Sequence, residues 1–187
     1  IYETLKKEFN FDFSSFKFFA GHSLGEYSAL VCSGSLKFED ALYLLHQRGT
    51  AMQEAVPVGQ GSMAAILGTK IDSIKEIINL NLKQNDVCEV ANDNAEGQII
   101  ISGKKESVER IEIVLKEKKI KSIQLKVSAP FHCTLMKPAS EYMTNKINNI
   151  EFKIPKHKII SNVTADSITD PEIIKKLLIK QIYSSVK

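Results

Sequence analysis

The apolar positions of the chain recur with two periods, and the pattern changes at the glycine- and proline-containing segment 57–61. Before this break the spacing predicts a helix that ends near residue 9, a short buried strand and two further helices. Their predicted bounds are 3–9, 16–20, 23–33 and 38–55, and Gly34 ends the first of the two later helices. We expect the longest helix to bury one apolar face, formed by Phe38, Ala41, Leu42, Leu45, Gly49 and Met52.

After the break, residues 62–127 predict the order strand, helix, strand, strand, helix, strand, which is the ferredoxin-like arrangement. These elements are predicted at 63–67, 72–82, 87–91, 98–102, 107–118 and 121–126, with a turn over 92–97. The remaining residues predict helix 135–148 with Pro138 in its first turn, strand 158–161, a turn over 164–166 and helix 171–183. The predicted fold class is α/β, with 62–127 inserted as a subdomain into a larger domain of 1–61 and 128–187.

Composition narrows the classes of protein that fit. The 187 residues include 25 basic and 22 acidic side chains, mixed along the chain, so no nucleic-acid-binding surface is evident. No apolar run approaches the length of a membrane span, and no secretory signal opens the chain. Cys32, Cys88 and Cys133 are widely spaced, which favours reduced thiols over a disulfide framework or a metal cluster. We expect a globular monomer that binds no metal, nucleic acid or membrane.

A Gly-x-Ser-x-Gly sequence, from Gly21 to Gly25, stands where a predicted strand gives way to a predicted helix. A serine on such a sharp turn presents its Oγ clear of the backbone, and side chains at either glycine are expected to collide with neighbouring backbone. The first free amides of the helix, Leu24 N–H among them, would face an oxyanion above Oγ. The same letters occur in ordinary loops, but their place between strand and helix favours Ser23 as a nucleophile.

A nucleophilic serine needs a base, and the chain has four histidines. His22 adjoins the serine on the turn, so its side chain is expected to point elsewhere, while His46 lies within a helix and His157 between lysines. His132 follows Pro130, which stiffens the backbone, so a rigid and irregular segment presents its imidazole. His132 is therefore the predicted base, and a structural histidine is the alternative.

Arg48 is one of only two arginines among the 25 basic residues. In a chain that uses lysine almost everywhere else, an arginine is expected to serve through its planar fork rather than its charge. Its helix neighbours Leu45 and Met52 are apolar, and a guanidinium among them would bind a carboxylate bidentately. We predict that Arg48 binds an acidic group of the substrate; a solvated surface arginine is the alternative.

In their order and spacing, these features resemble the malonyl-CoA:acyl-carrier-protein transacylase family over nearly the whole chain. The resembling segments are 20–27, 47–49, 61–68, 91–95 with 97–98, 128–133, 135–139 and 161–165. The resemblance implies an α/β-hydrolase-like acyltransferase domain that carries a ferredoxin-like insert. It also implies that Ser23 is acylated, that His132 is its base and that Arg48 holds the malonyl carboxylate.

The resemblance further implies a ping-pong transfer of malonyl from malonyl-CoA to the phosphopantetheine thiol of acyl carrier protein, which supplies fatty acid synthesis without a cofactor. Leu24 N–H would donate to the oxyanion, and Asn92 and Phe131 would contact the substrate, with Phe131 crowding substituents on the malonyl α-carbon. Two family glutamines are expected to be absent: one in an N-terminal Gln-Gly motif that gives the second oxyanion amide, and one near the C-terminus beside the histidine. Both ends of the family's chain are accordingly expected to lie outside this sequence.

Other functions stay open at this point. The acyltransferase domain of a polyketide synthase would use the same residues. A serine esterase would need an acidic partner for His132, for which Asp40, Asp72, Asp86 and Asp93 are available. A non-catalytic module could bind an acidic carrier protein through scattered lysines. The compartment is left open between bacterial cytoplasm and plastid (apicoplast) stroma, and the abundance of Lys, Asn and Ile leans toward the plastid.

Overall fold

Seven strands and seven α-helices follow one another along the computed structural model, which describes all residues, 1–187. The first are α1 (Tyr2–Glu8), β1 (Phe18–Phe19), α2 (Leu24–Cys32) and α3 (Phe38–Glu54). Next come β2 (Gly61–Leu67), α4 (Ile71–Asn81), β3 (Cys88–Ala95), β4 (Gln98–Lys104), α5 (Lys105–Glu117) and β5 (Lys121–Gln124). A 3₁₀ turn (Thr134–Met136), α6 (Lys137–Asn148), β6 (Lys158–Ile160), β7 (Ser167–Ile168) and α7 (Pro171–Gln181) complete the order.

The larger hydrophobic core lies between a three-stranded sheet and four helices. The strand order is β1-β6-β7, with β1 parallel to β6 and β6 antiparallel to β7. Helices α2, α3, α6 and α7 contribute Tyr27, Leu44, Met143 and Leu178, none of which has exposed surface. Because α2 begins directly after β1, the turn between them lies at the edge of this core.

The buried face of α3 is rotated from the predicted one. Met52 is buried as expected, but so are Leu44 and Arg48, whereas Phe38 and Leu42 keep 59% and 52% of their surface exposed. The helix carries apolar residues on two adjoining sides, so the period alone could not decide which side packs inward. The consequence is that Arg48 points into the protein rather than toward solvent.

The second core lies between one face of a four-stranded antiparallel sheet and the helices α4 and α5. The strand order is β3-β4-β2-β5, and the elements follow the βαββαβ sequence predicted for this stretch. Ile66 and Ile101 of the sheet pack against Ile111 and Leu115 of α5. At the β3 edge, Val186 forms a parallel bridge with the sheet, so the end of the chain is attached to this second unit.

Local structure differs from the sequence predictions in three places. The strand expected over 16–20 is only two residues long in β1. The turn expected over 92–97 is mostly strand, because β3 continues to Ala95 through irregularities between Val90 and Asn92 and between Asp93 and Ala95. β7 occupies a segment for which no strand was predicted. Bulges and very short strands do not sustain the alternation that identifies a strand in a sequence.

Several classes of feature are absent from the fold. None of the helices has both the length and the apolar character that a membrane crossing requires. No group of three or more His, Cys, Asp or Glu side chains is arranged to hold a metal ion. Cys32, Cys88 and Cys133 are free thiols, and the last two are buried.

The second core offers a matched pair of substitutions on one helix. Ile111 is completely buried, whereas Ile113 is 61% exposed. We expect Ile111→Ala to lower the free energy of unfolding by about 2–5 kcal/mol, because it leaves a cavity among the sheet residues. Ile113→Ala is expected to change it by less than about 0.5 kcal/mol. Urea denaturation of both variants measures the difference, and equal losses would contradict the assignment of this face to the core.

Candidate active site

Ser23 lies on the turn between β1 and α2 with φ 53° and ψ −108°, a strained backbone conformation for a residue with a side chain. Gly21 makes the turn possible, since a Cβ there would lie 2.0 Å from the carbonyl oxygen of Gly25. Gly25 itself has open space around it, so the expected collision holds only for the first glycine. Asn162 fastens the turn: its Oδ1 accepts from Ser23 N at 2.6 Å, and its Nδ2 donates to Gly21 O at 2.9 Å.

His132 is placed to act as the base for this serine. Its Nε2 lies 2.8 Å from Ser23 Oγ, and its Nδ1 lies 2.8 Å from the backbone oxygen of Gln181. A carbonyl oxygen only accepts, so Nδ1 carries the proton and Nε2 is free to accept the serine proton. Burial lowers the pKa of His132 to about 4, with the Arg48 charge adding to the effect and the Gln181 bond opposing it. The imidazole is therefore neutral at physiological pH.

The partner of His132 Nδ1 is a backbone carbonyl and not a carboxylate. Of the four aspartates that an esterase triad could have used, none hydrogen-bonds to the imidazole, and Asp86 instead pairs with Arg110. A serine–histidine pair oriented by a main-chain oxygen still holds the required tautomer. The site therefore lacks the carboxylate partner of the histidine that the esterase alternative needs.

Gln181 overturns the expectation that no glutamine near the C-terminal end supports the histidine. It ends α7 and is completely buried. Besides its backbone bond to His132, its Oε1 accepts from Arg48 Nη2 at 3.2 Å. Its Nε2 donates to Glu26 Oε2 at 2.7 Å and to Ser23 O at 3.1 Å. One residue therefore connects the base, the arginine and the serine turn.

Arg48 reaches the site from α3, and its Nη2 lies 3.0 Å from Ser23 Oγ. The residue is 7% exposed, and its Nε is buried without a hydrogen-bond partner. A guanidinium has five N–H donors, and here only those on Nη2 are used by the protein. Burial raises the pKa of the nearby Glu26 to about 7, against the opposing hydrogen bonds from Gln181 and Asn162. A buried fork with unused donors beside a nucleophile can bind the carboxylate of a short acyl group.

The remaining predicted residues lie around this centre at different distances from it. Leu24 N–H donates to no group of the protein and directly follows Ser23 at the start of α2, which suits an oxyanion donor. Phe131 is partly buried between the larger core and a small cluster on the four-stranded sheet, formed by Met63, Ala91 and Ile100. Asn92 is buried and lies beside His22, with 3.4 Å between its Nδ2 and the imidazole Nε2. The structure brings Ser23, His132 and Arg48 together, whereas Asn92 contacts the neighbour of the serine.

Three residues of the site were missed in the sequence: Glu26, Asn162 and Gln181. Glu26 and Gln181 did carry a signal, because each is a polar residue on the buried face of a helix, near Leu30 in α2 and Leu178 in α7. A polar residue on such a stripe needs a buried partner. Asn162 gave no such signal, since it lies in an irregular segment between β6 and β7.

The chain is similar in sequence and in structure to known acyltransferases. A family model described as acyl transferase domain matches residues 16–187. The chain is 46% identical over 171 residues to the malonyl CoA-acyl carrier protein transacylase of Bacillus subtilis, covering 91% of this chain and 54% of the relative. An acyl carrier protein S-malonyltransferase structure from Vibrio cholerae has a TM-score of 0.93 at 39% identity, covering 100% of this chain and 60% of that one.

A further structure, described as a type II PKS acyl-carrier protein in complex with its malonyl-transacylase, has a TM-score of 0.93 at 37% identity. The match covers 100% of this chain and 60% of that one. The chain therefore spans 54% of the Bacillus subtilis relative and 60% of these structures.

The position of the proton on His132 predicts how the reactivity of Ser23 depends on pH. Protonated imidazole cannot accept the serine proton, so the rate of labelling by a neutral fluorophosphonate should fall as pH drops through about 4. An ordinary histidine would place this midpoint near 6.5. Initial rates of Ser23 labelling, with circular dichroism to verify folding at each pH, measure the midpoint. Glu26→Gln serves as the control, because it removes the only carboxyl in contact with the site that also titrates near neutral pH. A midpoint near 6.5 in both proteins would contradict the lowered pKa of His132.

Proposed function

The chain belongs to the acyl transferase domain family, and from this membership and the geometry of the site we propose that the protein transfers a malonyl group from malonyl-CoA to the phosphopantetheine thiol of an acyl carrier protein. The observation that carries the proposal is the position of Arg48 Nη2, 3.0 Å from the Oγ of Ser23, which itself lies 2.8 Å from the base His132. A neutral acyl group would leave the unused donors of the buried guanidinium, Nε among them, without a partner. An acyl group with its own carboxylate would supply one.

Acylation begins when Ser23 Oγ attacks the thioester carbonyl and its proton passes to His132 Nε2. The new oxyanion accepts a hydrogen bond from Leu24 N–H, and the positive end of α2 favours the same charge. When the tetrahedral intermediate collapses, the carbon–sulfur bond breaks and the CoA thiolate takes the proton from His132. The product is a malonyl ester on Ser23 and free CoA.

The second half reverses these roles with a different thiol. His132 removes the proton from the phosphopantetheine thiol, whose sulfur attacks the ester carbonyl. The oxygen of Ser23 leaves and regains the proton, and the malonyl group is now a thioester of the carrier protein. Throughout both halves the Gln181 carbonyl holds the Nδ1 proton, so Nε2 always faces the reacting atoms.

Arg48 is proposed to select the acyl group and to protect it. In malonyl a single methylene separates the acyl carbon from the carboxylate, so a guanidinium next to Ser23 Oγ is within reach of that carboxylate. A bidentate pair would fix the orientation of the ester, which disfavours attack by water from other directions. Phe131, adjoining His132, is proposed to limit the room for substituents on the malonyl α-carbon, and Asn92 to support the site through His22.

We further propose that residues 1–61 and 128–187 form an α/β-hydrolase-like catalytic domain and that 62–127 form a ferredoxin-like insert. The two separate hydrophobic cores and the β3-β4-β2-β5 order support this division. A polyketide synthase context is kept as the alternative to fatty acid synthesis, since one relative is described as a malonyl-transacylase in complex with a type II PKS acyl-carrier protein. The relatives from Bacillus subtilis and Vibrio cholerae are bacterial, which gives no support to a plastid origin.

The covalent intermediate provides the direct test. Incubation with malonyl-CoA should add one malonyl group to the peptide that contains Ser23, detected by mass spectrometry after acid quenching. Addition of phosphopantetheinylated acyl carrier protein should then discharge it. Ser23→Ala, which removes only the nucleophilic oxygen, is the matched control and should show no adduct. A protein that binds carrier protein but never carries malonyl would be a binding module instead.

Removing the arginine should change selectivity more than reactivity. We expect Arg48→Ala to lower the rate of Ser23 acylation by malonyl-CoA by about 100-fold or more, because a charge-assisted bidentate contact is lost. Acylation by acetyl-CoA should change by less than about fivefold, since that acyl group makes no such contact. Arg48→Lys keeps the charge without the fork and should recover only part of the loss. Undiminished preference for malonyl in Arg48→Ala would refute the role of the guanidinium.

A further inference from the structure

We propose that the four-stranded sheet positions the general base of the reaction, and that Glu89 on β3 is the positioning residue through which it does so. The proposal rests on the proposed function only in taking His132 as the base of Ser23. Glu89 touches neither Ser23 nor Arg48. It acts on the short segment 130–134 that carries His132.

The carboxylate of Glu89 holds the residue two positions beyond the histidine. Its Oε2 accepts from Thr134 N at 3.0 Å, and its Oε1 accepts from Thr134 Oγ1 at 2.5 Å. Thr134 begins the 3₁₀ turn that leads into α6, so its N–H is one of the free amides at the start of that turn. A carboxylate is a strong acceptor for such a group, and both of its oxygens are used on one residue.

The opposite end of the segment is held by packing against the same sheet. Gly61 of β2 lies so close to Pro130 that a Cβ on the glycine would be 2.3 Å from the proline Cδ. Between the two ends, Phe131 packs on the sheet face that α4 and α5 leave uncovered, next to Met63 and Ile100. The segment is therefore fixed at its beginning by contact and at its end by hydrogen bonds.

The histidine needs such anchors because its own backbone is strained. His132 has φ 59°, in the left-handed region that residues with side chains seldom adopt, and the residue is 5% exposed. A conformation of this kind persists only where the surroundings hold it. Its imidazole must also keep 2.8 Å contacts on both nitrogens at once. A small displacement of the segment would break the Ser23 contact before it disturbed either hydrophobic core.

The test uses a probe that needs the serine and its base but neither malonyl nor a carrier protein. A neutral fluorophosphonate forms a bond between phosphorus and Ser23 Oγ and loses fluoride, while the serine proton passes to His132. We expect Glu89→Ala to slow this labelling about 10- to 100-fold, since a misplacement near 1 Å can cost about that much. Glu89→Gln should stay within about threefold, because its amide can accept from Thr134 N and donate to Thr134 Oγ1. Glu112 is a partly buried glutamate on α5, behind the sheet, and Glu112→Gln is the matched control. This variant should be labelled at the unaltered rate.

The same substitution made in a protein that lacks His132 distinguishes positioning of the histidine from a general loss of structure. In a His132→Ala protein, adding Glu89→Ala should slow the residual labelling less than about twofold, because the group that Glu89 positions is already gone. With malonyl-CoA, Glu89→Ala should lower kcat and leave KM within about twofold, since Arg48 is not moved. Should Glu89→Ala fail to fold, Thr134→Val removes the partner hydroxyl alone and should slow labelling in the same His132-dependent way.

Each contrary outcome bears on a different statement. Labelling of Glu89→Ala at the unaltered rate, or an equal loss with and without His132, would overturn the positioning role. Absence of labelling in the unaltered protein would refute the Ser23–His132 pair itself, and with it the positioning role. Normal labelling combined with failure to take up malonyl would overturn the proposed substrate and leave the role of Glu89 intact.

Discussion

The hydrogen bond from His132 Nδ1 to the carbonyl of Gln181 is the interaction on which the site depends, because it decides where the imidazole proton lies. With that proton fixed, Nε2 can only accept, and Ser23 can only donate to it. The same glutamine also bonds to Arg48 and Glu26 through its side chain. All of these groups are buried or partly buried, so loss of the amide would leave several of them without partners at once. The end of α7 thus makes hydrogen bonds to Ser23, His132 and Arg48 at once.

The positive charge of Arg48 has a carboxylate nearby, but no carboxylate accepts a hydrogen bond from its guanidinium. Glu26 is the carboxylate that acts electrostatically on Arg48, yet its hydrogen bonds come from Gln181 and Asn162 rather than from the guanidinium. The negative charge therefore stabilises Arg48 at a distance while donors of the guanidinium stay free. A substrate carboxylate bound by that fork would be a second negative charge near Glu26 and would raise the pKa of Glu26 further.

Sequence periodicity identified the order of helices and strands well, because most of them bury one face against a large core. The same periodicity misplaced the face of α3, since that helix has apolar residues on two sides, and the correct face is the one that turns Arg48 inward. Ser23 and His132 could be predicted because a glycine turn and a proline segment leave local signatures. Asn162 and Glu89 could not, because what makes them important is a hydrogen bond across more than 40 residues of chain, and no local pattern encodes such a partner. Gln181 gave only the signal of a polar residue on a buried helix face, which does not name its partner His132.

Both reacting side chains come from backbones with positive φ, at 53° for Ser23 and 59° for His132. Such strain is retained only if other parts of the structure resist its release. Asn162 resists it at the serine, while Gln181 and Glu89 resist it at the histidine, and these three come from three separate parts of the chain. Neither the turn nor the proline segment would hold its conformation alone. The contact between Ser23 and His132 therefore draws on groups from both units, which is why we propose that the four-stranded sheet takes part in positioning the base.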